Sequence, residues 1–197
     1  MQTLLDAIWN EHRSIASALH AMLYLVRERK EFARPVDTKV LRAILYYLDV
    51  FPERLHHPKE EKYLFAAVRG KTSEANAVLD ELAHEHETGE QSIRELEQLL
   101  LRYEEGGEAE FKALAEAVER FVAAYREHMR KEEEGVMPVA RRVLSASDWA
   151  AISAEWDAHR DPLAGIDAEK EFERVLDRIV ELAPPPLGIA AREARRS

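Results

Sequence analysis

The chain has 197 residues, 46% of them apolar and 34% charged, with a net charge of −10. That is enough chain for one domain with a full core, and the apolar content excludes a disordered chain. No cysteine is present, which excludes a disulfide scaffold, a zinc ribbon, an iron–sulfur cluster and thiol catalysis.

Eight histidines remain as the nitrogen donors for any metal. The acidic balance argues against a nucleic-acid partner. No apolar run reaches the roughly 18 residues of a membrane span. The start of the chain lacks the basic region and apolar core of a signal peptide, so a soluble cytoplasmic protein without a membrane partner is expected.

The periodicity predicts an all-α fold. The first helix covers about residues 3–29, the second about 37–69, the third about 73–104 and the fourth about 108–144. These segments are rich in Ala, Leu, Glu, Arg and Lys, and no stretch alternates for long enough to be a strand. Pro35 and Asp37 open the second helix, and Gly70 ends it. Thr72 and Ser73 offer a cap for the third, and Gly106–Gly107 turns into the fourth. Short connections imply neighbouring antiparallel helices, and therefore an up-down-up-down four-helix bundle over residues 1–144. Residues 145–183 read as accessory helices packed on the bundle. Ser147 caps the first, which carries Trp149, Ile152 and Trp156, and the second lies at about 167–183. Three prolines from Pro184 then begin a tail, 184–197, that is expected to be flexible.

Each bundle helix carries an apolar stripe with one polar interruption. The first stripe runs Leu5, Ile8, His12, Ile15, Leu19. The second holds His57, Glu61, Leu64 and Val68. The third runs Leu79, Leu82, His86, Gly89, Ile93. The fourth runs Tyr125, His128, Glu132, Gly135, Val139. At about 1.5 Å per residue, with helices alternating in direction, the interruptions all fall roughly 12–24 Å into the bundle. Unpaired buried carboxylates and imidazoles are expensive, so His12, His57, Glu61, His86, His128 and Glu132 need one common explanation. A metal supplies it. The i, i+4 spacing of His57/Glu61 and His128/Glu132 suits chelation. Imidazole with carboxylate suits iron, manganese or zinc, and two carboxylates suit a dinuclear centre.

The ordered set resembles the hemerythrin-like HHE cation-binding family: WNEHRSI around His12, HHPKEEKYLF around His57 and Glu61, HEHETGE around His86, and EHMRKEEEGVMP around His128 and Glu132. The resemblance covers about residues 1–144. It implies a non-heme di-iron centre, oxo- or hydroxo-bridged, in a four-helix bundle that binds or reacts with oxygen, peroxide or nitric oxide. Enzyme and sensor roles both follow from it. Oxygen-carrying members have a further histidine where this chain has Leu82, so simple oxygen carriage does not follow. They also use a step that would select Glu133, whereas the stripe favours Glu132. His56 with Glu60 competes with His57 and Glu61, and the second pair fits the phase into Leu64 and Val68 better. His20 and His84 read as peripheral, and His159 as packing. The rival reading is a ferritin-like di-iron carboxylate protein or iron-handling ferroxidase, built on Glu53/His56 and Glu81/His84. It leaves His12 unexplained.

Overall fold

The computed structural model describes residues 2–158. Every regular element among them is helical. Helix α1 spans Gln2–Phe32 and α2 residues 38–69. Helix α3 spans Asn76–Gly106, α4 residues 108–143 and α5 Ala146–Ala158. None of them is long and apolar enough to cross a membrane. The expected helix at 167–183, the tail 184–197 and His159 lie outside the described residues.

The boundaries follow local chemistry. Asp37 caps α2 as expected, its carboxylate accepting from the backbone N–H groups of Lys39 and Val40 at 3.1 Å. Thr72 Oγ1 instead accepts from Glu74 N–H at 3.2 Å, so it caps a turn, and α3 begins at Asn76. Gly107 separates α3 from α4 at φ +64° and ψ −139°, a conformation that only glycine adopts cheaply. At α5 the cap is Ser145 rather than Ser147. Asp148 N–H donates to Ser145 Oγ at 3.2 Å, while Ser145 N–H donates back to the Asp148 carboxylate at 2.8 Å. This reciprocal pair satisfies two end groups that Ser147 is too far along to reach.

Two apolar clusters form the core. One gathers Ile15 to Val26 of α1, Val40 to Leu48 of α2, Ile93 to Leu100 of α3 and Phe111 to Met129 of α4. The other gathers Leu4 to Ile8, Leu64 to Val68, Leu79 and Leu82, Val136 to Ala140, and Trp149, Ile152 and Trp156 of α5. Each of the four long helices passes once between the clusters. Each fully buried Leu or Ile contributes about 1.5–3 kcal/mol. Between the clusters lies a layer of buried polar groups: His12, Glu53, His56, His57, Glu60, His128 and Glu132, with His86 at its edge.

Helix α2 is irregular where it crosses this layer. Residues Asp49–His56 and Glu60–Phe65 are π-helical. Pro52 and Pro58 have no N–H to donate, so the ladder slips, and the His57 N–H reaches the Pro52 carbonyl five residues back. A third slip, Glu132–Val136, lies in α4, where the Met137 N–H reaches the Glu132 carbonyl. Each wide turn shifts the inward face by part of a residue step. An α-helical stripe therefore loses phase there.

Candidate metal centre

The phase slip decides which side chains point inward. His56 and His57 are consecutive, yet both are buried, at 1% and 5% exposure. The α2 carboxylate in the layer is Glu60, whose side chain is 1% exposed, and not Glu61, whose side chain is 41% exposed. The expected α-helical stripe His57, Glu61, Leu64 counts evenly through a segment that is not evenly wound. On α4 the count holds: Glu132 is buried in the layer, and Glu133 is not.

The two carboxylates share their oxygens between two groups of imidazoles. Glu60 Oε1 lies 3.4 Å from His56 Nε2 and 3.8 Å from His12 Nε2, and its Oε2 lies 4.0 Å from His86 Nε2. Glu132 Oε2 lies 3.3 Å from His12 Nε2. Its Oε1 lies 3.2 Å from His128 Nε2 and 3.8 Å from His86 Nε2. All four oxygens, and His12 Nε2, are buried without a hydrogen-bond partner. Donor atoms fall into two compact groups that could each hold a cation: His12, His56, Glu60 and Glu132, and His57, His86 and His128, each within 4.8 Å.

The outward nitrogens are also committed. Nδ1–H of His12 donates to Glu133 at 2.9 Å, and that of His56 to Glu11 at 2.8 Å. Nδ1–H of His86 donates to Glu61 at 3.0 Å, and that of His128 to Glu85 at 2.8 Å. A carboxylate on Nδ1 fixes the ring and turns Nε2 inward, the arrangement that orients metal-binding imidazoles. The doublets Glu60–Glu61 and Glu132–Glu133 thus divide their work. One member faces the layer, and the other holds a histidine of a different helix. No spacing rule along one helix could find Glu11 or Glu85, because their partners belong to other helices. The unused carboxylates beside His12 and His86 in the sequence were the available signal.

Electrostatics show how tightly the layer is coupled. Burial opposes charging His12, but Glu132 and Glu60 outweigh it and raise the imidazole to about 11. Burial likewise opposes His128, which Glu132 and Glu85 raise to about 10. Glu132 is pulled well below the usual carboxylate range because His128 and His12 overcome its burial. His57 goes the other way: burial, with His86 and His56 nearby, pushes it well below an ordinary imidazole. The layer is thus held by buried ion pairs whose protons occupy the nitrogens that a cation would take.

The remaining expectations separate cleanly. His20 is exposed and the His84 side chain is 76% exposed, as peripheral residues should be. The ferritin-like pairing fails, because Glu81 and His84 face solvent while Glu53 and His56 are buried. Gly135 is a packing glycine: a Cβ there would meet Val78 Cγ2 at 3.3 Å. Leu82 is fully buried in the second apolar cluster, one turn from His86.

A family model described as the hemerythrin HHE cation binding domain matches residues 3–140. The chain belongs to this family. The match spans α1 to α4, and so it covers every residue of the hemerythrin HHE layer described above. No curated protein and no solved structure matches the chain significantly. The cation binding in the family's description agrees with the two imidazole–carboxylate groups of this HHE bundle.

Proposed function

We propose that this HHE chain is a non-heme di-iron protein that binds or reacts with a small oxidant: oxygen, peroxide or nitric oxide. The observation carrying this reading is the division of Glu60 and Glu132, each turning one oxygen to the α1–α2 imidazoles and the other to the α3–α4 imidazoles. Ligand atoms on a single ion at about 2.0–2.2 Å lie about 3 Å apart when adjacent and about 4 Å when opposite. The inward nitrogens and oxygens of each group are spaced at 3.2–4.0 Å, as ligands of one ion are, so the two groups suit two ions. His12 and His56 would hold one, His86 and His128 the other, and the two glutamates would span both.

Nitrogen and oxygen donors without thiolate suit iron, among borderline metals. An iron pair supplies electrons and open coordination positions to a small ligand. The protein's own part is to neutralise and orient. Two carboxylates balance part of the cationic charge in a layer sealed above and below by apolar clusters. Glu11, Glu61, Glu85 and Glu133 hold the rings in one tautomer. Burial keeps bulk water from competing for the inward faces.

Metal analysis with an absorption spectrum tests the reading. The expected result is about two irons per chain, with near-ultraviolet charge-transfer bands. Zinc alone at one per chain would overturn it. Turnover of peroxide by the loaded protein marks an enzyme. A reversible spectral change with oxygen or nitric oxide, without turnover, marks a binding protein.

A further inference from the structure

The two groups of donors are not equivalent. The α1–α2 group has two imidazoles with both carboxylates, while the α3–α4 group has a third imidazole that neither of those helices supplies. That ring is His57. It stacks on His86 with centroids 4.0 Å apart and planes 12° apart, and its centroid is 5.1 Å from that of His128.

Three features show this to be a built position. The wide turn ending at His56 brings two consecutive histidines inward, whereas regular helix would rotate the second about 100° away. Buried polar groups flank the ring: the Tyr125 hydroxyl is hydrogen-bonded to His57 Nε2 at 3.1 Å, and the Glu53 carboxylate lies 3.4 Å from Nδ1. Nδ1 itself is buried without a hydrogen-bond partner. Gly89 makes room for that carboxylate, since a Cβ there would stand 2.0 Å from Glu53 Oε2. Meanwhile the turn of α3 before His86 offers nothing, because Leu82 is sealed among apolar side chains.

We propose that His57 is the third imidazole of the α3–α4 cation position, so that α2 supplies nitrogen to both cations through adjacent residues. This rests on the two-cation reading above and gives it an asymmetry. Both positions share the two glutamates, but one has two imidazoles and the other three, so the two bind a given metal with different strength and fill in sequence. A nitrogen-rich position also favours borderline metals over hard ones.

Titration of the metal-free protein with Co²⁺, followed by its visible bands, tests the proposal. The wild-type chain is expected to take two Co²⁺ in two resolved steps. His57→Phe, which keeps a flat ring against His86, is expected to retain one step unchanged and to weaken the other at least tenfold. Unchanged affinities and bands for both steps in that variant would overturn the proposal while leaving the two-cation reading intact. Fewer than two Co²⁺ in the wild type would overturn the two-cation reading and the proposal with it. A measurement on the wild type alone guards against a variant that fails to fold. Proton NMR of the Co²⁺ protein, with labelled histidine, is expected to show five hyperfine-shifted imidazole rings. Four would overturn the proposal.

Discussion

Replacing Glu132 with Gln keeps shape and removes one charge from the centre of the layer. Glu132 faces His12 Nε2 at 3.3 Å and His128 Nε2 at 3.2 Å. Removing one partner of a buried ion pair costs about 3–5 kcal/mol, because the other charge is left uncompensated. In a chain of this length that corresponds to a fall in Tm of about 6–20 °C.

The pH dependence fixes the sign. His12 and His128 are raised from 6.5 to about 11 and about 10, so their contribution is fully present below 6.5 and fades as pH rises through those values. Glu132 is lowered from 4.5, so its contribution is present above 4.5 and is lost as pH falls through its depressed value. The variant's deficit is therefore greatest between pH 4.5 and 6.5. Urea unfolding of metal-free wild type and Glu132→Gln at about pH 5.5, and again at about pH 10, measures it. A deficit under about 1 kcal/mol at the lower pH, or one that does not shrink at the higher, refutes the ion-pair account.

Further outcomes follow from single contacts. Glu85→Gln removes the carboxylate accepting from His128 Nδ1 and should lower cation affinity about 10–100-fold in a metal titration, with unchanged stoichiometry. Tyr125→Phe strips the hydroxyl from buried His57 Nε2 and should cost about 1–3 kcal/mol in urea unfolding of the metal-free protein. Ala33 sits at φ +56° just past α1, so Ala33→Gly should stabilise by about 1 kcal/mol, read as a rise in thermal midpoint. Gly107→Ala should do the reverse, by about 1–3 kcal/mol, because its φ of +64° strains any side chain.

The helices were legible because caps and breaks act locally: Asp37, Gly70 and Gly106–Gly107 mark the same ends in sequence and in structure. His12, His86, His128 and Glu132 reach the layer where the stripe places them, because a single apolar stripe runs through each of their positions. Glu61 faces out of the layer for a physical reason. Counting by regular turns fails across a segment where two prolines delete rungs of the ladder. The doublets HH and EE carried the warning, since adjacent residues of one type in a core stripe leave its phase undetermined. The outer glutamates stayed hidden because each serves a ring on another helix.

The wide turns also reveal a twofold repetition. His12 and His56 are 44 residues apart, His86 and His128 are 42 apart, and both second histidines are followed four residues later by a glutamate that opens a π turn. The hairpin α1–α2 and the hairpin α3–α4 thus carry the same half-set: a histidine, then His-x-x-x-Glu. Neither hairpin alone has both glutamates. A chain severed in the loop between Gly70 and Asn76 would yield two fragments that each carry this half-set, the first with His57 in addition, and complete the layer only on pairing.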